Sequence, residues 1–137
     1  MWTMWTANFS VETGNRPAVV DITARVAREI ASLGDGLLHI FVPHATAGLA
    51  LMETGSGSEA DLLDRLRALL PPDAPYRHAH GSPGHGRDHL LPAFLSPSLV
   101  LAVRGGKLDL GTWQAVVLVD TNVDNPVRQV RLSFIAG

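Results

Sequence analysis

Four of the six histidines, His78, His80, His85 and His89, fall within twelve residues of one another. Neutral imidazole is a good ligand for divalent zinc, nickel, copper or iron and titrates near physiological pH, so clustered histidines suit metal binding or proton transfer. Two or three of them suffice for an ion that also keeps a water. No HExxH or CxxC pattern fixes the geometry, and a solvated surface loop is the alternative reading of the same spacing.

His44 stands apart, after Pro43 at the end of an apolar run and before Ala45-Thr46-Ala47-Gly48. Glu53 follows nine residues later, at the end of the next apolar run; if the two runs pair as a hairpin, His44 and Glu53 approach the same sheet edge. His39 shares a face with Leu37 and Phe41 and reads as a packed, hydrogen-bonded histidine outside the site. Arg77, Arg87 and Arg128 each flank a polar or loop segment and can clamp phosphate oxygens if they converge, although surface solubility is the commoner role of a single arginine. Asp120 either joins a site or caps the following turn. Gly105-Gly106-Lys107-Leu108 lacks the phosphate-loop form, and Gly55-Ser56-Gly57-Ser58 has neither a following lysine nor dinucleotide-fingerprint spacing.

These residues need elements to hold them. Trp5 to Val11 reads as a strand closed by Thr13-Gly14-Asn15-Arg16-Pro17. Asp21 or Thr23 then caps a helix with Ile22, Val26, Ile30 and Leu33 on one stripe and Gly34 as its stop. Leu37 to Val42 is a short interior strand, and Ala47 to Glu53 another. Ser58 opens a helix whose stripe is Leu62, Leu63, Leu66, Leu69 and Leu70, stopped by Pro71-Pro72. Residues 71–86 show no periodicity, and Asp88 caps a short helix through Phe94. The last third reads as strands at Leu99 to Val103, Trp113 to Asp120 and Val127 to Ile135, with Gly105-Gly106 turning a hairpin. Strands in runs, with two main helices between them, imply an α+β fold of packed, largely antiparallel sheets in a single domain over 1–137.

The 137 residues are 46% hydrophobic and 18% charged, the balance of one globular core. A net charge of -2 gives no general grip on nucleic acid or anionic lipid, so neither partner is expected. No cysteine is present, which excludes disulfides, thiolate nucleophiles and sulfur-held zinc. No apolar run nears the roughly 18 residues of a membrane span. The opening Met1-Trp2-Thr3-Met4-Trp5 lacks the basic and apolar regions of a secretion signal, so a cytoplasmic protein is expected.

At His44-Ala45-Thr46-Ala47, Tyr76-Arg77-His78, His89 and Leu110-Gly111-Thr112-Trp113-Gln114, and through nearly the whole chain, the sequence resembles the YjbQ family, also known as UPF0047 or secondary thiamine-phosphate synthase. The His-Thr-Ser/Thr-Ala motif of the family reads His44-Ala45-Thr46-Ala47 here, its Asn-Glu reads Met52-Glu53, and Asp120 stands where a glutamate is usual. Where the family often has Asn or Asp before its third histidine, this chain has His85.

The resemblance implies a homotrimer with a site near a subunit boundary. It implies His44, Glu53, His78 and His89 as catalytic residues, with His44, His78 and His89 holding a divalent metal ion of unspecified identity. Arg77, Trp113, Gln114 and Arg128 would bind a small phosphorylated heterocycle. The implied activity joins hydroxymethylpyrimidine pyrophosphate to a thiazole phosphate, a thiamine-phosphate synthase reaction, with Glu53 orienting a histidine or accepting a proton. Against it stands a non-catalytic metal- or metabolite-binding trimeric module; the sequence does not choose between enzyme and binding module.

Overall fold

The computed structural model describes residues 3–137; Met1 and Trp2, the start of the segment read above for a secretion signal, lie outside them. The chain runs β1 (Met4–Glu12), β2 (Ala18–Asp21), α1 (Thr23–Ile30), β3 (Gly36–Phe41), β4 (Ala47–Met52), α2 (Ser58–Leu69), α3 (His85–Asp88), α4 (Leu91–Phe94), β5 (Ser98–Arg104), β6 (Lys107–Leu108), β7 (Ala115–Asp120) and β8 (Val127–Ala136). All strand pairs are antiparallel, in a five-stranded sheet of order β1-β8-β3-β5-β6 and a three-stranded sheet of order β2-β7-β4. The α+β architecture read from the sequence is the one found. Among the described residues no helix is long and apolar enough to cross a membrane.

Alternation decides which face is covered. On β8, Arg128, Val130, Leu132 and Phe134 point inward while Gln129 and Arg131 face out, the period-two pattern of a sheet with one apolar face. The paired register Leu38 with Phe134 and Ile40 with Leu132 continues that inner face onto β3. It packs with Ile22, Val26 and Ile30 from the α1 segment and with Leu49, Val116 and Leu118 from the smaller sheet. Leu66 of α2 and Leu91 of α4 cover the other side of the smaller sheet at Val117 and Val119. Strand β7 is therefore buried on both faces, which is why Ala115–Asp120 is an unbroken apolar run ending in one acid.

Several local expectations need correction. The turn after β1 leads into β2, whose four residues pair with β7 and were too few to show a period. Ile22, not Asp21 or Thr23, occupies the N-cap of α1; the Asp21 carboxylate instead accepts from Thr23 N at 2.9 Å, next to the cap. Helix α1 ends at Ile30, with Ala31 as its C-cap, ahead of Gly34. Helix α2 opens at Ser58 as read, with Gly57, left-handed at φ 94°, at its N-cap. Leu69 is exposed, and Leu66 and Leu70 carry the buried stripe. Trp113 lies in the turn before β7 rather than in the strand. Asp88 closes α3 instead of capping α4, and Pro92 sits in the first turn of α4 as its missing N–H requires. Gly105 and Gly106 both take positive φ, 55° and 75°, and turn the β5–β6 hairpin as expected.

Candidate functional site

The histidine-rich segment is held down at both ends. Beyond α2, Tyr76 Oη donates to the Pro71 carbonyl at 2.7 Å, fixing the chain just before His78. Gly84, at φ 88°, turns the chain into α3, which starts at His85. Gly86 lies so close to the incoming loop that a Cβ there would stand 2.2 Å from the His78 carbonyl oxygen. The backbone of α3 thus rests directly on the backbone carrying His78. His85 and His89 are four residues apart on one helical turn and present their rings to the same side.

The four rings converge. Centroids of His78 and His80 are 4.2 Å apart, of His78 and His89 4.3 Å, of His85 and His89 4.6 Å, and of His85 with either His78 or His80 5.1 Å. One nitrogen from each of His78, His80 and His85 lies within 4.8 Å of the others. His85 Nε2 and His89 Nε2 are 3.0 Å apart, so one donates and the other accepts. The rings His78, His80 and His85 line a cleft of about 300 Å³ with Pro72, Tyr76 and Ser82. His78 and His89 have pKa values below the ordinary imidazole value, through desolvation first and then through the mutual repulsion of neighbouring rings. Lowered values keep lone pairs available, which is what a metal requires.

A buried polar chain lies next to the cluster. Asp88 accepts from Arg87 Nε at 2.7 Å, Thr121 Oγ1 at 2.7 Å and Asn122 Nδ2 at 3.1 Å. Asn122 N donates to Asp120 Oδ1 at 2.9 Å. Asp120 in turn takes Arg128 Nε at 2.7 Å, Arg128 Nη2 at 2.9 Å and Thr13 Oγ1 at 2.6 Å, and Arg128 Nη2 also reaches Thr46 Oγ1 at 2.8 Å. These bonds run from α3 across the end of β7 to the start of β4 and leave each buried carboxylate compensated.

The structure brings together only part of the residues read from the sequence. His78 and His89 are in the cluster, together with His80 and His85. His44 is not in the converging group: its Nε2 accepts from Gln129 N at 2.9 Å. The hairpin expected to join His44 and Glu53 does not form, because β3 and β4 belong to different sheets. Glu53 accepts from Ser56 Oγ at 2.9 Å, and the six residues of β4, roughly 20 Å of strand, separate it from the His44 end.

Arg128 and Arg87 are buried in ion pairs with Asp120 and Asp88, so the convergence of Arg77, Arg87 and Arg128 on a phosphate does not occur. Arg77 is exposed. Trp113 is 74% exposed, neither a core residue nor part of the cleft lining. Gln114 Oε1 accepts from Gly111 N at 2.8 Å and shapes its own turn. His39 bonds Ser98 Oγ at 2.6 Å, the hydrogen-bonded role expected of it, but is half-buried on the outer face of the larger sheet rather than packed inside.

Sequence reasoning missed Asp88, Thr121, Asn122 and Asp124. The only signal was the polar run Thr121-Asn122-Val123-Asp124-Asn125 directly after an apolar strand, where Asn122 Oδ1 accepts from Asp124 N at 2.9 Å in an Asx-type turn.

The donor set fits a borderline metal such as zinc: three imidazoles on a short loop and a helix turn, and among the described residues no sulfur ligand. Zinc–nitrogen distances of about 2.0–2.1 Å put neighbouring ligand nitrogens roughly 3.0–3.4 Å apart, so the cluster needs only modest contraction. His85 Nδ1 is buried with no hydrogen-bond partner, an orphan that an additional ordering interaction would satisfy.

A family model described as UPF0047 protein YjbQ-like matches residues 7–137. A UPF0047 protein of Mycobacterium bovis is 58% identical over 127 residues, covering 93% of this chain and 98% of the relative. A UPF0047 protein of Archaeoglobus fulgidus is 33% identical, covering 81% and 86%. A solved structure of a YbjQ-like protein of unknown function from Sulfolobus solfataricus superposes with a TM-score of 0.91 at 27% identity, covering all of both chains. A hypothetical protein of Aeropyrum pernix superposes with a TM-score of 0.87 at 33% identity, covering 97% of this chain and 99% of that one. These matches correct the expected thiamine-phosphate synthase activity. The relatives carry a family designation of unknown function, and nothing in them supports the coupling of the two heterocycles or a transferase reaction.

Proposed function

The chain belongs to the YjbQ-like UPF0047 family, and from that premise we propose that it binds a divalent transition-metal ion of the zinc class on His78, His80 and His85. The observation that carries this reading is the convergence of one nitrogen from each of these side chains within 4.8 Å, at the wall of a cleft. His80 and His85 replace His44 and His89 in the ligand set implied by the resemblance, and His89 stands beside the three as a further imidazole.

A metal held by three imidazoles supplies a Lewis acid with a position left for water or an anionic oxygen. The chain's own residues do the rest. Tyr76 and Gly86 fix the approach of His78 to α3, and the Asp88–Thr121 and Asp88–Asn122 bonds anchor α3 to the loop that follows β7. A cleft of about 300 Å³ has the size of a small-molecule site, so the ligand class that fits is a small molecule with an oxygen anion. A cytoplasmic location and a homotrimeric assembly belong to the same reading.

The test is direct. Protein stripped with a chelator and dialysed is titrated calorimetrically with Zn²⁺, and with Co²⁺ followed by visible absorption. One ion per chain, lost in His78→Ala while the fold is retained, is the expected result. A folded wild-type protein that takes up neither ion overturns the proposal.

A further inference from the structure

The metal reading leaves Asp124 without a role. It lies in the loop between β7 and β8, remote in sequence from the histidines, and its Oδ2 is 3.6 Å from His85 Nδ1. That separation is too long for a hydrogen bond, and the Nδ1 atom is buried and unpartnered. Other contacts hold the carboxylate in place: its Oδ1 accepts from Ser82 Oγ, and the Asp124 backbone N–H is held by Asn122 Oδ1 at 2.9 Å. Asn122 is itself anchored to Asp88 and Asp120. The opposite nitrogen of the ring, Nε2, faces His89 Nε2 at 3.0 Å, on the side where the other imidazoles gather.

We infer that Asp124 is the positioning residue of the metal site: its carboxylate holds the Nδ1–H tautomer of His85 and so leaves the Nε2 lone pair directed at the ion. The inference rests on the metal reading given above. Its physical basis is the carboxylate–histidine–metal arrangement, in which the outer carboxylate fixes both the ring orientation and the tautomer and raises the basicity of the ligating nitrogen. Burial closes Nδ1 to an ion in the cleft, whereas a small rotation of the His85 ring closes the 3.6 Å gap to Asp124. An ion that takes Nε2 displaces the hydrogen bond to His89 and frees the second ring. Ser82 acts one step further out by holding the Asp124 oxygen that does not face His85.

Zn²⁺ titration of wild type, Asp124→Ala, Asp124→Asn and Ser82→Ala, paired with ¹⁵N NMR of the His85 ring in metal-free protein, tests this. Outer-shell carboxylates typically contribute 10–100-fold to affinity, so Asp124→Ala should weaken Zn²⁺ binding by about that factor. Asp124→Asn, which keeps an acceptor oxygen, should recover part of the loss. In the spectra, His85 carries its proton on Nδ1 in wild type and shifts toward Nε2–H in Asp124→Ala.

Wild-type affinity retained in Asp124→Ala overturns the inference while leaving the metal site standing. Wild type that binds no Zn²⁺ overturns the metal reading itself. In that event the ring spectrum still decides the Asp124 contact, and an Nε2–H His85 in wild type refutes it.

Discussion

Arg128 and Asp120 meet in a two-point ion pair, Nε to Oδ2 at 2.7 Å and Nη2 to Oδ1 at 2.9 Å, with both side chains excluded from solvent. Arg128 is on the inner face of β8 and Asp120 ends β7, so the pair ties the two sheets together where the polar chain toward the histidines begins. Removing the arginine strands a buried carboxylate. Arg128→Ala is therefore expected to cost about 3–5 kcal/mol in urea unfolding, and Arg128→Lys, which cannot form the fork, should recover only part of it. A loss under about 1 kcal/mol would mean that water reaches Asp120.

His44 and the cluster are predicted to separate functionally. Its Nε2 is occupied by Gln129 N–H, and it is absent from the group of nitrogens that converge. His44→Ala should keep one Zn²⁺ per chain with affinity within about threefold of wild type, whereas His85→Ala should weaken it by tenfold or more, on the order expected when one of three ligands is lost. Equal losses in the two variants, measured calorimetrically on correctly folded protein, would return His44 to the ligand set.

How much of this was legible follows from the range of the interactions. Val130, Leu132 and Phe134 announced β8 because their period is local, and Gly105-Gly106 announced its hairpin because positive φ is a property of the residue. The clustering of His78, His80, His85 and His89 was legible because the four are close in sequence. Arg128 read as a phosphate-binding or surface cation because its partner Asp120 lies on another strand in another sheet. The supposed His44–Glu53 pair failed for the converse reason: adjacent strands in sequence went to different sheets, a choice made by tertiary packing. Asp124 was invisible because its approach to His85 brings the β7–β8 loop to α3 across 39 residues of sequence.

Acid is predicted to weaken the fold in part through His44. Its pKa is lowered by desolvation and by the Arg128 guanidinium, with Asp120 opposing, and the ring must be unprotonated to accept from Gln129 N. The unfolded chain takes up the proton near pH ~6.5, while the folded chain resists it to lower pH. The contribution is therefore complete above about pH 6.5 and is lost as the pH falls through the folded value. In His44→Gln, whose amide oxygen can accept the same bond, the decline in melting temperature from pH 7 to pH 5 should be smaller than in wild type. Parallel curves for the two proteins would contradict this assignment.

Gly86 offers a test of how the helix positions the cluster. An added Cβ would stand 2.2 Å from the His78 carbonyl oxygen and 2.9 Å from Tyr76 Cβ, so α3 and the His78 segment must move apart. Gly86→Ala is expected to destabilise by about 1–3 kcal/mol, the usual cost of overpacking. Because His78 and His85 sit on the two parts pushed apart, Zn²⁺ affinity should fall too. A variant with reduced stability but wild-type affinity would show that the histidines are positioned independently of this contact.

The outer face of the larger sheet makes the last prediction, on assembly. Met4, Leu37, Val100 and Ile135 are between 39% and 61% exposed, and the register sets Met4 beside Ile135 and Ile135 beside Leu37 across β1, β8 and β3. With Val100 on β5 they bound a groove of about 420 Å³ around His39. An apolar band across four strands is costly to leave in water, and symmetric association is the common way of covering one. The proposed homotrimer should therefore show a mass near three times the 14.6 kDa chain in light scattering. Leu37→Glu should lower it toward that of one chain without unfolding it, since the side chain is outside the core. A trimer that survives Leu37→Glu would place the subunit interface elsewhere, and a monomeric wild type would remove the assembly from the reading altogether.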